Sequence, residues 1–138
     1  MTGMSSRFES IDRTTLVPFF VVSAAMEVLA GVALLAAPDL AIRLFFGYST
    51  SAGTALGRLA GGALVSLGAA CWFARHDGIS AAASGLVRGM LTYNAAMVVL
   101  VLTGSLGPIG PLLSGAALLH GGMALWCLLL LRGRRSLT

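Results

Sequence analysis

Charge is scarce in this chain. Only 10% of its 138 residues are charged and 57% are hydrophobic, whereas a soluble domain carries roughly 25% charged residues. Lysine is missing altogether: all nine basic residues are arginine, a bias that reads as genomic composition rather than function. The net charge of +4 is scattered, with no basic stretch interleaved with aromatics, which excludes a nucleic-acid surface. Cys71 and Cys127 stand far apart with no CxxC pair, so they read as small, buried, inert thiols rather than a redox motif. Histidine is equally sparse: His120 lies in an apolar run and His76 in a loop. A bis-imidazole haem is thereby excluded within one chain, haem at His120 is not expected, and no cofactor is predicted. Phosphate loops, zinc-ligand spacings and nucleophile–base patterns are all absent, which argues against an enzyme and against a metal site.

Long apolar runs fill the space that charge leaves. Leu16–Ala37, Thr54–Ala74, Ser80–Thr103 and Pro111–Leu131 each approach the ~20 residues that cross a ~30 Å hydrocarbon core at ~1.5 Å per residue. None has the polar face that a soluble amphipathic helix needs. The first run is too long for a signal h-region and follows a segment with acids as well as arginines, Glu9 and Asp12 beside Arg7 and Arg13, so it reads as a retained span. Pro38–Gly47 reads as a short interfacial helix capped by Asp39, and Gly47–Gly53 as a turn. The remaining loops, RHDGIS and GSLGPIGP, are short enough to force antiparallel neighbours. The expectation is an all-α, up-down-up-down bundle of four transmembrane helices, with a short interfacial helix between helices one and two, as a single integral membrane domain over 1–138.

Arginine outside the spans sets the expected orientation. Arg7, Arg13, Arg75, Arg132, Arg134 and Arg135 share the side of the termini, and Arg43 lies opposite with Arg58 near it. Both termini are therefore expected in the cytoplasm of a bacterial inner membrane. Trp72, Phe73 and Trp126 would form the inner aromatic belt, and Phe45, Phe46 and Tyr48 the outer one.

Inside lipid, small residues let helix backbones approach. Eighteen glycines supply them: Gly57 with Gly61, then Gly62, Ser66 and Ala70, in the second run, and Gly85 with Gly89 in the third. This spacing implies close packing within a protomer or between protomers. A faint internal echo, Ala24–Met26 against Ala95–Met97 and Cys71-Trp72 against Trp126-Cys127, is compatible with a duplicated hairpin or with chance in Ala/Leu/Val-rich sequence.

Each run also carries a side chain that hydrocarbon rejects: Glu27, Arg58, Arg88 and His120. By position Glu27 and His120 lie within ~2 Å of the bilayer centre, Arg88 ~5 Å toward the terminal side and Arg58 ~9 Å the other way. A charge at that depth costs roughly 2.5–3.5 kcal/mol on insertion scales and should find a partner in the interior. Glu27 is expected to pair with Arg88, and His120 to join them by a hydrogen bond. Arg58 either shares that interior or snorkels to headgroups. Tyr93 and Asn94 lie near the centre too. Asn94 sits about 120° from the Arg88 face, which offers it to a seam between protomers, and it stands with Glu27, Arg58, Arg88, Tyr93 and His120 as a candidate for ligand or proton binding. The cluster is either a neutralised polar knot that fixes helix register or a protonatable, ligand-binding site.

Two resemblances add to this. Gly57–Arg75 (GRLAGGALVSLGAACWFAR), Gly85–Asn94 (GLVRGMLTYN) and Leu119–Cys127 (LHGGMALWC) resemble uncharacterised small four-helix bacterial membrane proteins of the DoxX-like type. That resemblance implies an inner-membrane protein, in some cases linked to oxidoreductase complexes, and transfers no catalytic residue. Ala24–Gly31 (AAMEVLAG) is similar to the first helix of small multidrug resistance exporters, which implies a proton- and solute-binding role for Glu27. Arg58 and Arg88, and the lack of a mid-membrane Trp beside Glu27, depart from that pattern.

The functional expectation is a non-enzymatic accessory or assembly subunit of a homo-oligomer or a larger membrane complex, with the lipid bilayer and other membrane subunits as partners. The alternatives are a proton-coupled small-solute transporter using Glu27 and His120, and a haem- or quinone-associated redox subunit.

Overall fold

A computed structural model describes residues 2–78, 80–107 and 110–135, with side chains within 15–132 of those segments. Five helices follow in order: α1 (Thr2–Ala36), α2 (Pro38–Phe46), α3 (Ser51–Ala74), α4 (Ala81–Leu102) and α5 (Pro111–Arg135). No strand occurs among the described residues. Four stretches are long and apolar enough to cross a bilayer: Thr15–Ala36, Ser51–Ala74, Ala81–Leu102 and Pro111–Arg132. The up-down-up-down bundle with a short helix after the first span is the observed architecture. The side chains of Arg7, Glu9, Asp12, Arg13, Arg134 and Arg135, used above for orientation, lie outside those described.

Local chemistry explains three of the helix ends. Thr50 Oγ1 accepts the Gly53 N–H at 3.0 Å to start α3, and Ser80 Oγ accepts the Ala83 N–H at 2.9 Å to start α4. Each satisfies one donor that the first turn would leave orphaned. Gly47 closes α2 at φ +79°, with its N–H on the Arg43 carbonyl at 2.8 Å; glycine takes that left-handed geometry without a Cβ clash.

Three expectations need correction here. The first helix begins at Thr2 rather than near residue 16, because its polar N-terminal segment is helical too, and Pro18 is accommodated inside it. Asp39 does not cap α2. It lies inside the first turn, where Pro38 opens the helix, and pairs instead with Arg43 one turn later at 2.9 Å. Trp126 is not a belt residue, because it turns inward against Phe19, centroid to centroid 5.5 Å and edge-on. Trp72 and Phe73 do face outward, and the Arg75 guanidinium lies 3.6 Å above the Trp72 ring.

The bundle is built from two tight pairs. α1 lies along α3 with α2 folded against both, and α4 lies along α5. The pairs meet only sparsely, through α1–α5, α2–α5 and α3–α4. Their shared core sits in the half nearest the chain termini, where Leu16, Phe19 and Phe20 of α1 pack with Cys71, Val87, Met90, Met123 and Cys127. The outer shell is apolar: Leu59 is 72% and Leu118 is 79% exposed. An aqueous surface would not sustain so much exposed apolar area, whereas acyl chains cover it without cost.

Candidate functional site

Glycine sets how closely the first pair can approach. A Cβ on Gly61 would lie 2.8 Å from the Gly31 carbonyl oxygen, and one on Gly31 would lie 2.7 Å from that of Gly61. Gly68, which the sequence reading did not single out, is equally confined: its Cβ would meet Val28 Cγ2 at 2.7 Å and the Ala24 oxygen at 3.0 Å. Gly57 faces Ile42 and Pro38, so it seats α2. The other small residues marked for packing behave differently. Gly62, Gly85 and Gly89 have nothing within 4 Å of an added Cβ, and Ser66 is exposed, its hydroxyl donating to the Gly62 carbonyl at 2.9 Å. Among the described residues, nothing packs closely against these three glycines.

The polar residues at the bundle centre are arranged by the same inward stripes. On α4 the buried positions are Ala83, Val87, Met90, Asn94 and Val101, so Asn94, 1% exposed, lies on the core face. Its Nδ2 donates to the Met90 carbonyl at 2.7 Å, and its Oδ1 is 2.7 Å from His120 Nδ1. A carbonyl can only accept, which fixes the amide orientation. Oδ1 must then accept, so His120 carries its proton on Nδ1, leaving Nε2 as a lone-pair acceptor in the neutral ring. Tyr93 stacks edge-on to that imidazole at 5.5 Å, with the rings perpendicular.

Two expectations are overturned by this geometry. Asn94 is not at a protomer seam: it is the residue that ties α4 to α5. Nor does Glu27 pair with Arg88, for Arg88 is exposed on the far side of α4 and Arg58 is exposed on α3. The only ion pair among the described residues is Arg43–Asp39. The 120° separation of Arg88 from Asn94 holds, but the inward face is the opposite one. The spacing of Val87, Met90, Asn94 and Val101 was the available signal, a seven-residue apolar stripe that contains Asn94 and omits Arg88.

Glu27 is left by itself. It is 5% exposed, and it makes no hydrogen bond or ion pair among the described residues. Its carboxyl is within electrostatic range of Cys71 and Tyr93. Ser23, one turn away on the same face of α1, is fully buried, and its Oγ has no hydrogen-bond partner. Ser23 is not among the site residues expected from the sequence. Its hydroxyl could have been flagged, because it shares a helical face with the one acid in the interior.

Cys71 and Cys127 are both free and buried in the shared core. They stand on diagonal helices, and no Cα of α3 approaches one of α5 within 8 Å. A disulfide requires Cα atoms about 4.4–6.8 Å apart, so the pair cannot close in this conformation. Among the described residues no group of three or more His, Cys, Asp or Glu is disposed to hold a metal ion. Comparisons with family models, with curated proteins and with solved structures gave no match.

Proposed function

We propose that this protein is a non-enzymatic accessory or assembly subunit, which joins a membrane complex through lateral helix faces. The observation that carries this reading is the outer face of α4, where Gly85, Arg88 and Gly89 lie exposed and no described residue covers the two glycines. Glycine in a helix costs about 0.8–1 kcal/mol relative to alanine, and lipid gives nothing back for it. A neighbouring helix does, through close backbone approach. An exposed guanidinium beside those glycines adds a charge worth roughly 2.5–3.5 kcal/mol at the bilayer centre, which a polar group on an adjacent subunit would offset.

We infer a bacterial inner membrane with both termini cytoplasmic, supported by the sequence bias of Arg7, Arg13, Arg75, Arg132, Arg134 and Arg135 on the terminal side against Arg43, with Arg58 near it, on the other. The test is crosslinking from Gly85→Cys and Gly89→Cys in native membranes, read with native mass spectrometry of the extracted protein. The proposal expects a discrete partner or a defined oligomer on the α4 face. A monomer in mild detergent, with no crosslinked species from either position, would remove it.

A further inference from the structure

Two charges in the spans are left without a counter-charge by the fold. Arg58 on α3 and Arg88 on α4 are both exposed, and the only ion pair among the described residues joins Arg43 to Asp39. Arg88 lies two turns into α4, ~10 Å along the helix from its start at Ala81. Thr92, the polar side chain one turn further on, is already committed, because its hydroxyl donates to the Arg88 carbonyl at 3.0 Å. A guanidinium at such a depth is costly, and membrane proteins ordinarily pair it or turn it into the bundle. Here it faces out instead, flanked by Gly85 and Gly89, whose added Cβ atoms would have no described neighbour within 4 Å.

The acids of the chain limit what can answer that charge. There are five. Glu9, Asp12, Asp39 and Asp77 fall outside the four spans. The fifth, Glu27, is turned into the bundle at 5% exposure. A second copy of this chain therefore has no carboxylate to offer at the level of Arg88. Two α4 faces set together would oppose like charges, and an α4 face set on α3 would bring Arg88 toward Arg58. In a medium of low dielectric both arrangements are repulsive. A different chain escapes this if it carries an acid on its facing helix. Arginine and carboxylate pair through two parallel N–H···O bonds, and the flanking glycines let a neighbouring backbone come close enough for a short acidic side chain to reach. An anionic lipid would answer the charge alone and leave the exposed glycines without a purpose.

We propose that the α4 face docks a different membrane protein, one whose facing helix carries an aspartate or glutamate at the level of Arg88. This inference rests on the lateral-assembly reading above and narrows it from any neighbour to an acidic one. The charge selects the partner, and the glycines set how near it comes.

The experiment uses the full chain in native membranes, with Gly85→Cys as the crosslinking position and Arg88 either intact or changed to Gln or Lys. Mass spectrometry identifies the crosslinked species. Its acid nearest the crosslink is then changed to arginine and combined with Arg88→Glu. The expected product joins unlike chains, and the partner has a carboxylate within one turn of the crosslinked residue. Arg88→Gln should lower the yield by about tenfold or more, the loss that follows removal of one member of a desolvated charge pair. Arg88→Lys should keep most of it, and the exchanged charges should restore it. An unchanged unfolding midpoint in detergent shows that an Arg88 variant has lost docking and not its fold. The proposal is overturned, with lateral assembly left standing, by a product made only of two copies of this chain, a partner without an acid in its spans, an undiminished yield in Arg88→Gln, or no restoration by the exchanged charges. No crosslinked protein at all, whether or not Arg88 retains an anionic lipid on extraction, removes both readings together.

Discussion

The α1–α3 pair and the α4–α5 pair are both built on apolar spans of similar length, yet they are held together by different means. In the first, glycines at 31, 61 and 68 bring backbone against backbone, closely enough that any added Cβ meets an atom within 3 Å. In the second, the glycines at 85 and 89 face away from the partner helix, and a partly buried hydrogen bond between Asn94 and His120 ties the helices together. A small-xxx-small pattern therefore marks a surface suited to close contact without saying which neighbour uses it. In one pair it is satisfied within the chain, and in the other it is presented outward.

Mutations should separate the two. The largest effect is expected at Gly61→Leu, which drives a side chain into the Gly31 carbonyl and should cost about 3 kcal/mol by overpacking, read as a lowered unfolding midpoint in detergent. The matching change on the other pair, Gly85→Leu or Gly89→Leu, should leave that midpoint within about 0.5 kcal/mol, as surface substitutions do. It should nevertheless weaken assembly by tenfold or more, about 1.4 kcal/mol, seen as loss of the oligomer or partner in native mass spectrometry. If Gly85→Leu unfolds the monomer, the contrast between the pairs fails.

Removing the polar tie is the next test. Asn94→Ala strips the acceptor from His120 Nδ1–H and should destabilise the α4–α5 pair by about 1 kcal/mol, within the range measured for hydrogen bonds between membrane helices. Faster amide exchange should appear in α4 and α5 and not in α1. Comparable loosening of α1 would show that the pairs are not separate units. Thr50→Ala, which removes the cap of α3, should cost about 0.5–1 kcal/mol and fray only the first turn of that helix.

The smallest expected effect is at the interfacial helix. Asp39 accepts a hydrogen bond from Ser49 and has Arg43 beside it, which together hold its carboxyl below the ordinary 3.8. A carboxyl depressed in the folded state supports it above the unfolded value and loses that support as pH falls through the folded one. Carbon-13 titration of Asp39 should thus give a midpoint under 3.8, moved back up in Ser49→Ala. An unchanged midpoint in that variant would place the cause elsewhere.

The four spans, their short connections and the interfacial helix were readable from the chain, because hydrocarbon thickness sets a length that few other structures share. Helix ends at Ser80 and near residue 74 came within a residue or so, since capping and turn chemistry is local. Rotation of each helix about its own axis was not readable to the same degree. The spacing of Arg88 and Asn94 gave their angular separation correctly and their inward and outward senses in reverse.

The cause is physical. In water, polar residues mark the outside of a helix, and the pattern alone orients it. In a bilayer the surroundings are as apolar as the core, so two opposite rotations bury equivalent side chains. What the amino-acid sequence determined is how many helices are long and apolar enough to cross a bilayer and roughly where they end. Only the packing of α1 on α3 and of α4 on α5 decided that Glu27, Ser23, Asn94 and His120 face inward while both arginines face out. That choice rests on backbone contacts at glycine and on one partly buried hydrogen bond between helices, both of which exist only once the helices have met.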